Sequence, residues 1–418
     1  MQRGVHNTPI KQAKQAKIAK IAFSGLLRNN PIKITRIRYK KSGLIYNPMS
    51  YHRQEPSEII NNAMNVFFDV QELYYLPQYL PVHHELVKRG KIKTTFIIYK
   101  GKFNPILEKI IEQENLNHIW VNNQSEANQF YQTKKSDWIF FGNTFPHLDK
   151  VHKVSKSIQL GHGIGPKASY YTKSSTPTTV RFVEGEYRTN RLKKMYPDNK
   201  FVNVGFCKLD PIINGNISGF DLESLNLDAD KKTIVYAPTF YPSSLEKFPK
   251  KFPEDFQDFN IMIKPHYFSL SKEKYRKQRQ LLEHWSTYDN VYLAKADDYS
   301  LVPFMASADL LISDASSAII EFAALDKPVI WCNFLKLRWN YRGIFSYRYK
   351  QRMDKDYNQY SNVAVRSDSY KMLKNYIRDQ LRNPASLSEQ RLHFANKMAG
   401  CLDGKASERI VDYLLENK

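Results

Sequence analysis

From residue 58 onward, short runs of apolar residues alternate with longer segments whose apolar positions recur at helical spacing. The runs that suit buried strands in the first half of the chain are residues 65–69, 94–99, 118–121, 138–141 and 157–160. A second series occupies residues 233–236, 260–263, 290–293, 309–312 and 328–331. Near-continuous apolar strands of this kind are typical of parallel sheets that are covered on both faces.

Helical segments separate many of these strands. The clearest are residues 81–89, 105–114, 271–285 and 318–325. The second of them begins with Pro105, a residue that is favoured in the first turn of a helix. Strands that alternate with helices predict an α/β fold.

A polar stretch, residues 214–232, separates the two series of strands. We therefore predict a basic N-terminal arm (1–57), an N-terminal α/β domain (58–225) and a C-terminal α/β domain (226–418), whose last helix could pack back on the N-terminal domain. Ligands of open parallel sheets bind beyond the carboxyl ends of the strands. The candidates for chemistry are thus the residues that follow the strands, facing a cleft between the domains.

Charge is distributed unevenly along the chain. The formal net charge is +22 over 418 residues, and twelve positive side chains precede Glu55, the first acidic residue. This asymmetry indicates an anionic partner surface. A hydrophobic content of 42% excludes a mainly disordered chain. The three cysteines are odd in number and far apart, so they build no disulfide framework and no metal clamp, as is usual in a reducing compartment.

Within the arm, Lys11, Lys14, Lys17 and Lys20 recur at every third position, which spreads them over about half of the circumference of a helix. An in-plane membrane helix would carry its lysines on one face. We interpret residues 1–45 as a polybasic arm for an anionic membrane surface; a solvated tail is the alternative.

Nucleic acid is not an expected partner, because the arm lacks interleaved aromatic residues and no nucleic-acid-binding signature follows it. The sequence shows no signal peptide and no run that approaches the roughly 20 apolar residues of a membrane-spanning helix. We therefore expect peripheral attachment to a membrane rather than insertion.

The segment with the sharpest chemical pattern is residues 309–333. An apolar strand ends at Asp314, and a helix is predicted a few residues later. Ser316 and Ser317 would therefore lie where unpaired backbone N–H groups can bind phosphate. Glu321, about one turn into the helix, is suited to accept hydrogen bonds from ribose hydroxyls. The alternative is that Asp314 or Ser316 only caps the helix.

Two further strands end in histidine-containing segments. Gly161-His162-Gly163 follows a predicted strand, and its glycines allow backbone and ligand to approach the imidazole closely. A histidine placed in this way suits proton transfer, because its ordinary pKa lies near neutrality. Lys264 and His266 follow a strand of the second series, where a cation and an imidazole suit a diphosphate leaving group. A surface turn is the competing interpretation.

Taken together, seven segments resemble, in order, the motifs of the CDP-glycerol glycerophosphotransferase family, whose members build teichoic acids and related surface polymers. The segments are GHGIGPK (161–167), RFVEGEYRT (181–189), GFCKLDPII (205–213), IVYAPTF (234–240), KPH (264–266), LISDASSAIIEFA (311–323) and RGIF (342–345). The resemblance covers roughly residues 60–400 and leaves the basic arm outside.

The resemblance implies a GT-B-like arrangement, in which two Rossmann-like domains with parallel sheets face an interdomain cleft. The N-terminal domain would bind the acceptor, and the C-terminal domain would hold most of the donor. The implied reaction transfers glycerol phosphate from CDP-glycerol to a hydroxyl of a lipid-linked or polymeric saccharide and releases CMP. It would serve teichoic acid or capsule biosynthesis at the cytoplasmic face of the plasma membrane.

The resemblance also implies roles for individual residues. By matching position, His162 would be the base for the acceptor hydroxyl, and His266 would contact the donor diphosphate. Lys167 and Arg342 would lie on the acceptor side. The remaining donor and phosphate-binding candidates are Gly163, Lys264, Asp314, Ser316, Ser317 and Glu321. Phosphoryl transfer depends mainly on positioning and charge neutralisation, so we expect no cofactor and no required metal.

Two departures from the family pattern affect the acceptor side. Ile164, Gly165 and Pro166 follow the His-Gly pair, where the family commonly has threonine and proline, and the basic residues 346–352 replace an acidic stretch. The added positive charge would suit an anionic polymer end or a lipid diphosphate. Alternative functions are a GT-B glycosyltransferase that uses a nucleotide sugar, a transferase that uses CDP-ribitol, and a basic scaffold without catalysis.

Overall fold

The computed structural model describes residues 44–46, 63–101, 103–161, 163–165 and 167–418. These residues belong to one compact unit, Tyr39–Lys418. Nearly all of the predicted basic arm lies outside the described residues, and so does His162. No helix in the described part of the chain is long and apolar enough to cross a bilayer.

Within the described residues, two parallel sheets organise the chain. The seven strands of the first sheet are, in spatial order, His118–Val121, Ile92–Tyr99, Met64–Val70, Trp138–Phe141, Lys156–Gln159, Val180–Val183 and Phe201–Asn203. The six strands of the second sheet are Val291–Leu293, Asn260–Ile263, Thr233–Ala237, Leu310–Ser313, Val329–Cys332 and Val365–Ser367. A short antiparallel pair joins Leu44–Tyr46 to Ile217–Phe220.

Helices connect the strands of both sheets. Those between the first strand of the first sheet and the second sheet are Leu76–Arg89, Asn104–Gln113, Gln124–Lys134, Leu148–Val151, Ser169–Thr172, Glu186–Met195 and Asp210–Ile213. Those that follow are Tyr267–Ser271, Arg276–Trp285, Val302–Ser307, Ala318–Ala323, Tyr347–Arg352, Tyr370–Arg382, Ser388–Ala399 and Ala406–Glu416. Short 3-10 helices occupy Leu73–Tyr75, Lys173–Ser175, Cys207–Leu209, Glu223–Leu225, Leu245–Lys247, Phe252–Phe256, Glu273–Tyr275, Trp339–Tyr341, Gly343–Phe345 and Lys355–Asn362.

The prediction of an α/β chain with two parallel sheets is confirmed, and each predicted strand is present to within two residues at either end. Two helix boundaries were wrong. The helix predicted from residue 81 begins at Leu76, because Pro77 rather than Pro81 occupies its first turn. The helix predicted over residues 271–285 is divided, and its regular part is Arg276–Trp285.

The last helix, Ala406–Glu416, packs on the core of the first sheet although it follows the second sheet in the chain. Ile410, Val411 and Leu414 are fully buried in the same apolar cluster as Phe68 of the strand Met64–Val70. The chain therefore crosses back after the second sheet, and the helix Ala406–Glu416 completes the core of the first sheet.

Asp210 fixes the start of this last helix. Its carboxylate accepts hydrogen bonds from the backbone N–H groups of Ala406 and Ser407, at 3.4 and 2.7 Å. These groups have no partner within the helix, because the first turn leaves its N–H groups unpaired. Burial raises the pKa of Asp210 to about 6, and the hydrogen bonds from Ser407 and Ala406 act in the opposite direction.

We predict that Asp210→Ala lowers the free energy of unfolding by about 1–3 kcal/mol, because buried N–H groups at the start of the helix lose their acceptor. Urea denaturation at pH 7.5 measures the change. The matched control is Asp412→Ala on the same helix, where an exposed carboxylate pairs with Arg89 and contributes little. Equal effects of the two substitutions would contradict the assignment of Asp210 as the cap.

Candidate functional site

A cavity of about 510 Å³ lies where the carboxyl ends of the two sheets approach each other. Polar side chains from both parts of the chain line it: Lys167, Tyr170 and Lys208 follow strands of the first sheet, and Thr239, Lys264, His266, Ser316 and Ser317 follow strands of the second. Most of the candidate site residues that were predicted from separate strand ends therefore line this one cavity.

Gly163 lies where the loop after the first sheet meets the start of the helix Ala318–Ala323. A Cβ atom on Gly163 would lie 3.5 Å from Ser317 Oγ and 3.6 Å from Glu321 Oε1. Both distances are ordinary van der Waals separations, so the loop after the first sheet lies beside the start of the helix Ala318–Ala323. His162 is outside the described residues, but its neighbour Gly163 lies next to the segment predicted to bind phosphate.

Asp314 lies behind the cavity wall. Its Oδ2 accepts hydrogen bonds from the backbone N–H and the hydroxyl of Thr239, at 2.9 and 3.1 Å, and from the Ser243 hydroxyl at 3.1 Å. Its Oδ1 accepts from the backbone N–H of Ser244 at 3.1 Å. Burial raises the pKa of Asp314 to about 6, although these hydrogen bonds oppose the rise. Asp314 thus holds a cavity-lining loop in place and does not cap the following helix.

Ser316 and Ser317 line the cavity but differ in their hydrogen bonding. Ser313 Oγ donates to the carbonyl oxygen of Ala237 at 2.7 Å and lies 2.9 Å from Ser316 Oγ. Because Ser313 has a single hydroxyl hydrogen, Ser316 must be the donor in the second bond and is left able to accept. Ser317 precedes the helix Ala318–Ala323 without a side-chain capping bond. Its hydroxyl is suited to donate to a ligand.

Lys264 and His266 lie at the end of the strand Asn260–Ile263. Burial lowers the pKa of Lys264 to about 8, so the ammonium loses part of its charge in mildly alkaline solution. His266 Nδ1 accepts a hydrogen bond from the backbone N–H of Phe268 at 3.1 Å. In the neutral imidazole the proton is therefore on Nε2, which makes His266 a hydrogen-bond donor.

The surroundings of His266 keep this ring neutral. Burial by the cavity walls, together with the charges of Lys167, Lys264 and Lys272, lowers the pKa of His266. The residue is exposed to solvent in the cavity, where a ligand can reach its ring. At pH 7 the imidazole can donate one hydrogen bond to an anion without a charge of its own.

The buried ion pair between Lys208 and Glu321 was not predicted from the sequence. Lys208 Nζ lies 2.7 Å from Glu321 Oε2, and the side chain of Glu321 is fully buried. The other oxygen of Glu321, Oε1, has no hydrogen-bond partner among the described residues. Lys208 belongs to the segment GFCKLDPII, so its motif was visible in the sequence, but the chain position of Glu321, 113 residues later, gave no sign of the contact.

The two residues predicted for the acceptor side have different surroundings. Lys167 lines the cavity, and its backbone forms an isolated bridge with Met353. Arg342 is exposed on the surface, at the end of the 3-10 helix Trp339–Tyr341, and does not line the cavity. No group of three His, Cys, Asp or Glu side chains in the described ranges is arranged to hold a metal ion.

Comparison with protein families gives one match that covers most of the chain. A family model described as CDP-Glycerol:Poly(glycerophosphate) glycerophosphotransferase matches residues 87–416. Teichoic acid glycerol-phosphate primase of Bacillus subtilis (strain 168) is 25% identical over 237 residues, which are 56% of this chain and 56% of that protein. Teichoic acid poly(ribitol-phosphate) polymerase of Bacillus spizizenii is 24% identical over 315 residues, 68% of this chain and 47% of that protein. The chain therefore spans about half the length of these relatives.

Solved structures with similar folds include the wall teichoic acid polymerase TagF, at a TM-score of 0.60 and 17% identity over 85% of this chain and 88% of that chain. A putative UDP-N-acetylglucosamine 2-epimerase from Listeria monocytogenes has a TM-score of 0.59 and 14% identity, over 85% and 97% of the two chains. At these identities the likeness concerns the fold alone, and it confirms the GT-B-like prediction.

We predict that Lys208→Met lowers the free energy of unfolding by about 3–5 kcal/mol, because it leaves the Glu321 carboxylate buried without its cation. The double variant Lys208→Met/Glu321→Gln should recover most of this loss. Chemical denaturation of the wild type, both single variants and the double variant gives the coupling energy. Additive losses in the double variant would show that the two side chains do not act as a pair.

Proposed function

Because the chain belongs to the CDP-glycerol:poly(glycerophosphate) glycerophosphotransferase family, we propose that it transfers glycerol phosphate from CDP-glycerol to an acceptor hydroxyl. The acceptor oxygen forms a bond to the phosphorus that carries glycerol, and the bond from that phosphorus to the bridging oxygen of CMP breaks. CMP leaves with the bridging electron pair. The observation that carries the proposal is the placement of Gly163, beside the proposed base, against Ser317 in a cavity lined by Lys264 and His266.

The donor diphosphate would be held by donors of different kinds. Lys264 supplies positive charge, Ser317 supplies a hydroxyl hydrogen, and His266 supplies Nε2–H while its own charge stays neutral. Ser316, which donates to Ser313, is left to accept from a hydroxyl of the glyceryl or ribosyl group. Asp314 acts indirectly, by holding the loop that contains Thr239. Charge neutralisation and positioning of this kind are the main requirements of phosphoryl transfer.

The acceptor hydroxyl would lose its proton to His162. The acceptor would approach from a second cavity of about 670 Å³, whose lining includes Lys208 and Tyr299. Both residues also line the first cavity, so the two spaces adjoin. The lining of the second combines apolar side chains with amides and carboxylates, which suits a lipid-linked or polymeric saccharide. Lys167, which lines the first cavity, would supply positive charge near the acceptor.

The cellular setting follows the same proposal. Teichoic acid or capsule-type synthesis would take place at the cytoplasmic face of the plasma membrane, where residues 1–45 would attach to anionic lipid. The similarity to a poly(ribitol-phosphate) polymerase supports CDP-ribitol as a second candidate donor. One addition per acceptor would identify a primase, and a ladder of products would identify a polymerase.

Incubation with labelled CDP-glycerol and extracted cell lipids tests the reaction. We expect acceptor-dependent release of CMP, and His162→Asn should reduce the rate by about 10²–10⁴-fold, the usual contribution of a general base. Donor affinity, measured by calorimetry, should change little. The matched control is His284→Asn, an exposed histidine on the helix Arg276–Trp285. Turnover only with nucleotide sugars would contradict the proposal, as would full activity of His162→Asn.

Donor binding should depend on pH through Lys264. Its pKa of about 8 in the free protein rises when a diphosphate binds, so the ammonium contributes fully below pH 8 and its contribution is lost as the pH increases above that value. We expect CDP-glycerol to bind about tenfold more weakly at pH 9 than at pH 7. Calorimetry across this range should show no such dependence for Lys264→Met, whereas the exposed-site control Lys277→Met should behave as the wild type. A preserved pH dependence in Lys264→Met would exclude this role.

A further inference from the structure

Residues 336–353, which we call the rim segment, carry an unusual charge pattern. No acidic residue occurs between Asp326 and Asp354 in the sequence, whereas the rim segment alone contains Lys336, Arg338, Arg342, Arg348, Lys350 and Arg352. Such a one-sided composition produces a local positive field. The segment is not needed to explain the donor site, so its charge calls for a separate explanation.

Large apolar side chains are exposed within the same segment. Trp339 is 73% exposed, Ile344 is 83% exposed and Tyr347 is 48% exposed. Single exposed apolar residues are common on protein surfaces, but several within nine positions indicate an interaction site. Trp339 also packs against Phe345, with ring centroids 5.7 Å apart. The segment therefore presents a small aromatic and aliphatic surface to solvent.

Two described arginines of the segment, Arg342 and Arg348, are not paired with a described carboxylate. Within the described residues, neither Arg342 nor Arg348 lies within ion-pair distance of an Asp or Glu side chain. Arg348 instead lies over the ring of Phe345, 4.7 Å from its centroid. Arg338 lies 4.5 Å from the ring centroid of Tyr241, which lines the donor cavity. Lys336 pairs with Glu246 at 3.0 Å, whereas the charges of Arg342 and Arg348, next to the exposed apolar groups, are not compensated by a carboxylate of the described side chains.

Both ends of the rim segment are fixed at the donor cavity. The backbone N–H of Lys336 donates to the carbonyl oxygen of Ser243 at 2.8 Å, and Met353 lines the cavity and forms a bridge with Lys167. Just beyond it, Arg191 pairs with Asp354 through two hydrogen bonds of 2.7 and 2.6 Å. Whatever surface the segment binds would therefore lie beside the mouth of the site.

We infer that the rim segment docks on an anionic lipid bilayer, with Trp339 and Ile344 in the interfacial region and Arg342 and Arg348 against lipid phosphates. Tryptophan and tyrosine are enriched at membrane interfaces, and arginine can bury its stem while its guanidinium stays among headgroups. Exposed apolar side chains favour a bilayer over a soluble polyanion, which offers them no apolar phase. This inference rests on the membrane attachment proposed above, but not on the transfer reaction.

Vesicle binding by the full chain tests the inference. Arg342→Gln/Arg348→Gln should weaken partition into phosphatidylserine-containing vesicles roughly 30-fold, from about 1 kcal/mol for each basic residue near an anionic surface. The matched control removes equal charge from exposed lysines on other elements, in Lys91→Gln/Lys371→Gln. Thermal unfolding of both variants shows whether they are folded. Equal weakening in variant and control would overturn the inference, because net charge would then suffice.

Trp339 is a reporter of its own position. Of the five tryptophans, Trp138, Trp285 and Trp331 are buried, and Trp120 is half-buried on an edge strand of the first sheet. Vesicle-dependent quenching by lipids with brominated acyl chains should therefore come mainly from Trp339. Trp339→Phe should abolish most of this quenching and leave partition within a few-fold of the wild type. Persistent quenching in Trp339→Phe would overturn the proposed docking.

Three other outcomes would also test the inference. If the rim variant bound vesicles as tightly as the wild type, residues 1–45 would carry the attachment and the rim inference would fail alone. If the rim variant lost affinity for soluble polyphosphate but not for vesicles, the segment would be a polyanion site. A wild type that does not bind anionic vesicles would overturn both membrane proposals and leave the transfer reaction to its own assay.

Discussion

Lys208 and Glu321 form the contact on which the rest of the site depends. One comes from the segment that leaves the first sheet, and the other from the helix that follows the strand Leu310–Ser313 of the second. A carboxylate that is fully buried needs a cation, and removing that cation costs far more than breaking a surface pair. The ion pair therefore fixes the segment that contains Lys208 relative to the helix that contains Glu321. Gly163 and Ser317 lie close to each other beside this pair.

The architecture was largely predictable because buried parallel strands leave apolar runs in the sequence. The runs at residues 118–121, 138–141 and 260–263 correspond to strands with the same bounds. The strands that escaped prediction contain polar residues. Val180–Val183 includes the buried Arg181, and Val365–Ser367 is an edge strand of three residues with Arg366. Local periodicity does not reveal such strands, because their polar side chains interrupt the apolar run.

Most residues of the site could be predicted from the sequence, but the role of each residue could be predicted less well. Strand ends identified Lys264, His266, Ser316 and Ser317, and all four line the donor cavity. Asp314 was expected at the ligand, but its carboxylate is engaged by a loop about 75 residues earlier in the chain. A sequence shows that a carboxylate follows a strand, but not which hydrogen-bond donors surround it. The direction of each side chain is decided by packing between elements that are distant in sequence.

The return of the helix Ala406–Glu416 to the first sheet has a consequence for biosynthesis. The strands of that sheet leave the ribosome well before Ile410 and Leu414, which complete their core. Until these two residues emerge, an apolar stripe on the nascent chain has no intramolecular cover. The first sheet therefore cannot complete its core until the helix Ala406–Glu416 has been synthesised. We expect chaperones to bind the exposed apolar surface mainly during this interval.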